Sequence, residues 1–152
     1  MGPFEGWYQC REATRDKNYR DRILVVDTNP IFRETVAQWL RGAGYDVTTA
    51  DTGEHAFLTL RDWQYPIGWL YTRATLPILI DGWILADEYH DTYPARPVVI
   101  AAPEGRSSAC GDIVLGQPSP TKVLEIIRQL INSSHKSPAV AEIGSGLQQH
   151  AA

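Results

Sequence analysis

Between residues 22 and 131 short apolar runs alternate with amphipathic stretches, and that alternation leaves few folds open. Arg22-Ile-Leu-Val-Val-Asp27 is β-branched, apolar and ends in an acid, the pattern of a strand buried on both faces. Asn29-Pro30 offers an N-cap and a proline suited to a first helical position. Ile31, Phe32, Thr35, Val36, Trp39 and Leu40 then recur at helical spacing until Gly42 and Gly44. Tyr45 to Ala50 reads as a second strand, and Thr52 caps a second helix carrying Ala56, Phe57 and Leu60. Ile67 to Tyr71 makes a third strand, and Gly82 to His90 a helix that stops before Pro94. Pro97 to Ala102 is a fourth strand and Ile113 to Leu115 a short fifth. Ser119-Pro120 opens a last helix through Val123, Leu124, Ile127 and Ile131. Such a succession predicts right-handed βαβ crossovers: an α/β, doubly wound, five-stranded parallel sheet.

In that architecture function gathers at the carboxyl ends of the strands. The positions to question are therefore Asp27 and Thr28, Thr72 and Arg73, Ala102, and Gln117. The flanks look peripheral. Residues 1–21 mix charges and aromatics without a period and read as an N-terminal extension. Residues 132–152 are rich in Ser, Gly, Gln and His and read as a disordered tail. A hydrophobic fraction of 43% supports a core for residues 22–131. The net charge of −4 gives no electrostatic reason to expect nucleic acid or an anionic membrane. No apolar run approaches the roughly 18 residues of a membrane span. With no secretion-type start, a cytoplasmic setting is expected. Cys10 and Cys110 match no metal spacing and read as free thiols. Asp81, Asp87, Glu88 and Asp91 read as a solvated helix face, and His55 and His90 as isolated surface residues.

The ordered motifs resemble a known family. Ile23 to Pro30, the following helix and Gly42-Ala-Gly44-Tyr45 are similar to the opening of a CheY-like receiver domain of response regulators. Ala50-Asp51-Thr52-Gly53-Glu54 resembles that family's second strand-to-helix junction. Leu76-Pro77 with Asp81-Gly82 resembles the loop after its phosphoacceptor. Pro97 to Ile100 and Gln117 to Pro120 resemble its fourth strand and its final turn. The resemblance implies a flavodoxin-like sheet and a place in two-component, phosphorelay signal transduction.

It also implies roles that this chain does not fill. A working receiver gathers acids around Mg²⁺, attacks a phosphoryl donor with an Asp on strand three, and steadies the phosphoryl oxygens with a hydroxyl and a Lys. Asp27 matches the first acid, but Thr28 stands at the second. Counting back from Pro77 places the acceptor at Arg73, or at Thr72 if the register slips by one. The hydroxyl position falls on Ala102 and the Lys position on Gln117. Neither Arg73 nor Thr72 can form an acyl phosphate, so a degenerate pseudo-receiver with weak or absent Mg²⁺ binding and no bound cofactor is expected. Arg73 either reaches Asp27 and replaces the metal charge or points into solvent. The stretch from Pro103 to Gly111 is too short and too rich in Gly to hold the family's helix between strands four and five. With that helix shortened or missing, exposed Ile113 or Leu115 would make the region a candidate homodimer surface.

Three readings of function follow. The favoured one is a phosphorylation-incompetent receiver that is not an enzyme and acts by docking a protein partner, such as a sensor kinase or a downstream signalling protein. The second is a receiver phosphorylated by rewired chemistry. The third is a small-ligand binder using the same crevice.

Overall fold

The computed structural model describes residues 22–103 and 111–151, with side chains of the last helix described as far as residue 135. Five parallel strands, β1 (Ile23–Val26), β2 (Val47–Ala50), β3 (Trp69–Arg73), β4 (Val99–Ala101) and β5 (Ile113–Leu115), form one sheet in the order β2-β1-β3-β4-β5. The described helices are α1 (Pro30–Gly42), α2 (Gly53–Leu60), α3 (Gly82–Thr92) and α4 (Pro120–Ala151). The doubly wound α/β class and the five-stranded parallel sheet are as the sequence predicts.

Strand alternation distributes the core. Ile23, Val25, Trp69, Tyr71, Val99 and Ala101 face α1 and α4, where Val36, Leu40, Val123 and Ile127 close over them. Leu24, Val26, Leu70, Val98, Ile100 and Ala102 face α2 and α3, where Ala56, Leu85 and Tyr89 do the same. Burial on both faces explains why β1 carries no polar residue before Asp27.

The caps hold the strand-to-helix turns in place. The Asn29 side chain accepts from the backbone N–H groups of Ile31 and Phe32 at 3.0 and 3.2 Å. Thr52 caps α2 through His55 N, and Ser119 accepts from Lys122 N at the start of α4. Asp81 caps α3 by accepting from Trp83 and Ile84 N–H, both at 3.0 Å. Asp81 therefore does not belong to the solvated acidic face expected for it.

Several boundaries differ from expectation. β3 lies two residues later than Ile67 to Tyr71, because Thr72 and Arg73 stay in the ladder opposite Ile100 and Ala101. β4 is shorter than Pro97 to Ala102. Pro97 has no N–H, and Val98 N–H donates to the Asp112 carboxylate at 2.8 Å. β2 starts at Val47 rather than Tyr45, and α3 runs on to Thr92. The backbone of α4 continues past the Ile131 boundary to Ala151. The expected N-terminal extension, and all but the two ends of the Pro103 to Gly111 connection, lie outside the described residues.

Two side-chain expectations are corrected. His90 is not an isolated surface residue, since its ring nitrogens lie 3.1 Å from the Tyr93 carbonyl and 2.9 Å from Asp112 Oδ1. Leu115 is buried and Ile113 is half-buried against the same cluster, so neither forms the exposed edge proposed for self-association. Both belong to the apolar cluster that Val123 and Ile127 of α4 help to form.

Candidate functional site

The site lies where β1 and β3 end side by side. The register pairs Val26 with Thr72, so one step further brings Asp27 opposite Arg73. Alternation sends both side chains to the α1 side of the sheet, together with Tyr71 one step earlier on that face. Asp27 is wholly buried. Its Oδ1 accepts from Arg73 Nε at 2.8 Å and from the backbone N–H of Asn29 at 2.8 Å. Its Oδ2 accepts from the Tyr71 hydroxyl at 3.1 Å. Arg33 Nη1 donates to the Asp27 carbonyl oxygen at 2.9 Å. The carboxylate is thus compensated by one guanidinium, one amide and one phenol.

Arg73 reaches Asp27, which answers the alternative left open by the sequence. Its side chain keeps about a third of its exposure, 32%, so the guanidinium bridges the buried acid and solvent. Burial is the largest influence on the Tyr71 phenol, and the adjoining Asp27 charge adds to it. Both push its pKa far above the ordinary value, with the Arg73 charge opposing. Tyr71 is therefore a neutral hydrogen-bond donor. Its ring stacks against Phe32 of α1 at 6.1 Å between centroids.

Among the described residues, none of the other positions singled out makes a hydrogen bond or ion pair with the side chains of Asp27 and Arg73. Thr72 is buried, and its hydroxyl donates to the Arg73 carbonyl at 2.9 Å. The side chain that meets Asp27 is thus that of Arg73 and not that of Thr72. Ala102 is buried among the apolar residues on the α2 and α3 side. Thr28 and Gln117 are exposed. Tyr71 and Arg33 escaped sequence reasoning. Alternation back from Arg73 would have found Tyr71, whereas Arg33 gave no signal beyond its place in the first turn of α1.

The loop from β3 to α3 is fastened beside this pair. Glu54 Oε2 accepts from Leu79 N–H at 3.1 Å and from Ile80 N–H at 3.0 Å. Desolvation pushes the Glu54 pKa up, but the backbone N–H groups of Ile80, of Glu54 itself and of Leu79 outweigh it, and the net shift is downward. Gly53 and Gly82 are required by close approach. A Cβ at Gly53 would overlap the Ile80 carbonyl, and one at Gly82 would overlap the carbonyl of Arg73 itself. Ile78 adopts φ +70 and stands 73% exposed, followed by Leu79 at 83%. A β-branched residue rarely takes that conformation, so the loop holds backbone strain next to the site.

No family model matches the chain, and no curated protein matches it. Solved structures do. A response regulator receiver protein from Sinorhizobium medicae WSM419 is similar with a TM-score of 0.64 and 23% identity, over 74% of this chain and 94% of that one. The receiver domain of the hybrid histidine kinase CckA matches with a TM-score of 0.60 and 26% identity, over 72% and 97% of the two chains. A CheY-like receiver domain protein from Methanospirillum hungatei JF-1 matches with a TM-score of 0.63 and 20% identity, over 77% and 98%. These likenesses show the fold: a flavodoxin-like receiver sheet, whose solved neighbours are response regulator receiver domains. Among the described residues, no helix is long and apolar enough to cross a membrane.

Proposed function

We propose that this chain is a receiver domain of a two-component signalling system that has given up phosphoryl transfer and acts as a protein-interaction module, docking a kinase or a downstream signalling protein. The observation that carries this reading is the 2.8 Å ion pair between Arg73 and buried Asp27. Arg73 stands at the position where the resemblance expects the phosphoacceptor. A guanidinium there offers no oxygen nucleophile, and it supplies permanently the positive charge that a metal would bring. Ala102 and Gln117 lack the hydroxyl and the ammonium that would steady phosphoryl oxygens.

The donor set also argues against Mg²⁺. That ion favours several oxygen ligands at about 2.1 Å in near-octahedral geometry. Here the Asp27 carboxylate has both oxygens engaged by Arg73, Asn29 and Tyr71. No catalysis is assigned to the module, and the engagement of both Asp27 carboxylate oxygens weighs against phosphorylation by rewired chemistry.

The test uses acetyl phosphate followed by intact mass, and beryllofluoride with Mg²⁺ followed by tryptophan fluorescence. Trp69 begins the strand that carries Arg73, so occupancy of the crevice should change emission. The expected result is no gain of mass and no change in emission. A phosphate adduct that disappears on Asp27→Asn would overturn the reading.

A further inference from the structure

At the opposite end of the sheet, the last turns of α2 and α3 leave between them a groove of about 580 Å³. Leu60, Pro66 and Ile67 supply its apolar lining, and Trp63 stands at its edge with 79% of its surface in solvent. Tyr65, 55% exposed, lies two residues on from that indole. Arg22 lies over the Tyr65 ring at 5.4 Å, and the Trp63 indole stands open to solvent beside the groove.

Three independent features give this groove a preference for positive charge. Trp63 offers an open indole face of the kind that attracts guanidinium and ammonium groups. α2 ends at Leu60 and α3 at Thr92, so both helices bring their negative dipole ends to this side of the sheet. Asp62, Glu88 and Asp91 line the groove, and the single base among its lining residues, Arg61, lies 3.3 Å from Glu88. The volume falls within the roughly 300–1,000 Å³ of ligand sites, far more than a bare ion needs. An edge formed by a solvent-exposed indole encloses a small molecule poorly. It suits a chain that lays one side chain into the groove and continues across Trp63.

We infer that this groove docks a basic peptide segment of a partner protein, with an Arg or Lys stem against Leu60 and Ile67 and its charged head among Trp63, Asp62 and Asp91. The inference deepens the reading of the chain as a docking module. It uses neither Asp27 nor Arg73, so a phosphate adduct at the other end of the sheet would sink that reading and leave this one standing.

The test is fluorescence anisotropy of a labelled peptide of alternating Arg and Leu, titrated with the full chain. Saturable binding is expected, weakened about tenfold by Asp91→Lys and about tenfold by Trp63→Ala, each equal to about 1.4 kcal/mol. It should also fall in 1 M salt, where screening acts within about 3 Å. Both substitutions are at exposed positions, and unchanged thermal unfolding verifies that the variants fold. A peptide with Glu in place of each Arg should not bind. Absence of saturable binding, indifference to both substitutions or equal binding of the acidic peptide would overturn the proposal. Displacement by spermidine at the concentration needed of unlabelled peptide would overturn it too, making the groove a site for small organic cations.

Discussion

Asp27 and Arg73 together set a cost that neither residue would bear alone. An ionised carboxylate with no exposed surface requires charge or hydrogen-bond compensation, and removing one partner of such a pair typically costs about 3–5 kcal/mol. The partial exposure of Arg73 lets water replace part of what it provides, so its removal belongs at or below the lower end of that range. Tyr71 is the more buried partner and gives a cleaner experiment. Tyr71→Phe leaves Asp27 Oδ2 without its donor and should cost about 1–3 kcal/mol at pH 7. The same change alters the pH profile in a direction fixed by the raised phenol pKa. A free tyrosine ionises near pH ~10, while the folded chain keeps Tyr71 neutral above that value. Its contribution is therefore complete below about pH 10 and is lost as pH rises, because only the unfolded chain releases the proton. Tyr89 is raised by burial in the same sense, so the variant should lose stability less steeply above pH 10 but not become flat. Urea unfolding at neutral and alkaline pH measures both effects, and an unchanged alkaline slope would count against a Tyr71 phenol held neutral by burial and by Asp27.

The segment from Ala74 to Asp81 concentrates what local sequence signals do not convey. Glu54 holds its N–H groups, Gly53 and Gly82 admit its backbone at contact distance, and Ile78 takes a conformation that suits Asn or Gly. Left-handed backbone at such a residue costs about 1–3 kcal/mol. Ile78 is largely exposed, so Ile78→Asn should give up little packing and raise stability by roughly 1 kcal/mol, read as a higher urea midpoint at unchanged slope. A lower midpoint would show that the isoleucine makes contacts that outweigh the strain. The elements were legible where apolar periodicity was strong. The β1 run, the Asn29-Pro30 start of α1 and the Ser119-Pro120 start of α4 all stand where the sequence puts them. The end of β3 was not, because Thr72 and Arg73 interrupt the apolar pattern while still pairing with Ile100 and Ala101. Asp27 and Arg73 were recognisable by position. Tyr71 was hidden because its identity suits a buried strand, and only the sheet register reveals that its hydroxyl meets Asp27. His90 was misread for a related reason: its partner Asp112 lies on a connection 22 residues away.

At the scale of the molecule, one thin sheet separates two apolar layers that share strands but not side chains. Leu85 lies in the layer under α2 and α3, and Ile127 in the layer under α1 and α4, both essentially without exposed surface. Each strand alternates between the layers, so neither can melt without removing the support of β1, β3 and β4 for the other. Truncation on either side should therefore weaken the same transition. Leu85→Ala and Ile127→Ala should each cost about 2–5 kcal/mol, the range for emptying a close-packed site. The two side chains lie on opposite faces of the sheet with no common partner, so the double variant should add to within about 0.5 kcal/mol. Trp69 faces the α1 and α4 layer and Trp83 packs on the α2 and α3 layer, so with Trp83 replaced by Phe in every variant the buried tryptophan signal comes from the former, while far-ultraviolet circular dichroism reports on all the helices. Coincident urea curves from the two probes in each single variant are expected if the sheet couples the layers. Separate midpoints in Leu85→Ala, with dichroism falling before fluorescence, would mean that the α2 and α3 layer opens alone. The loop held by Glu54 would then sit on the less stable half of the molecule.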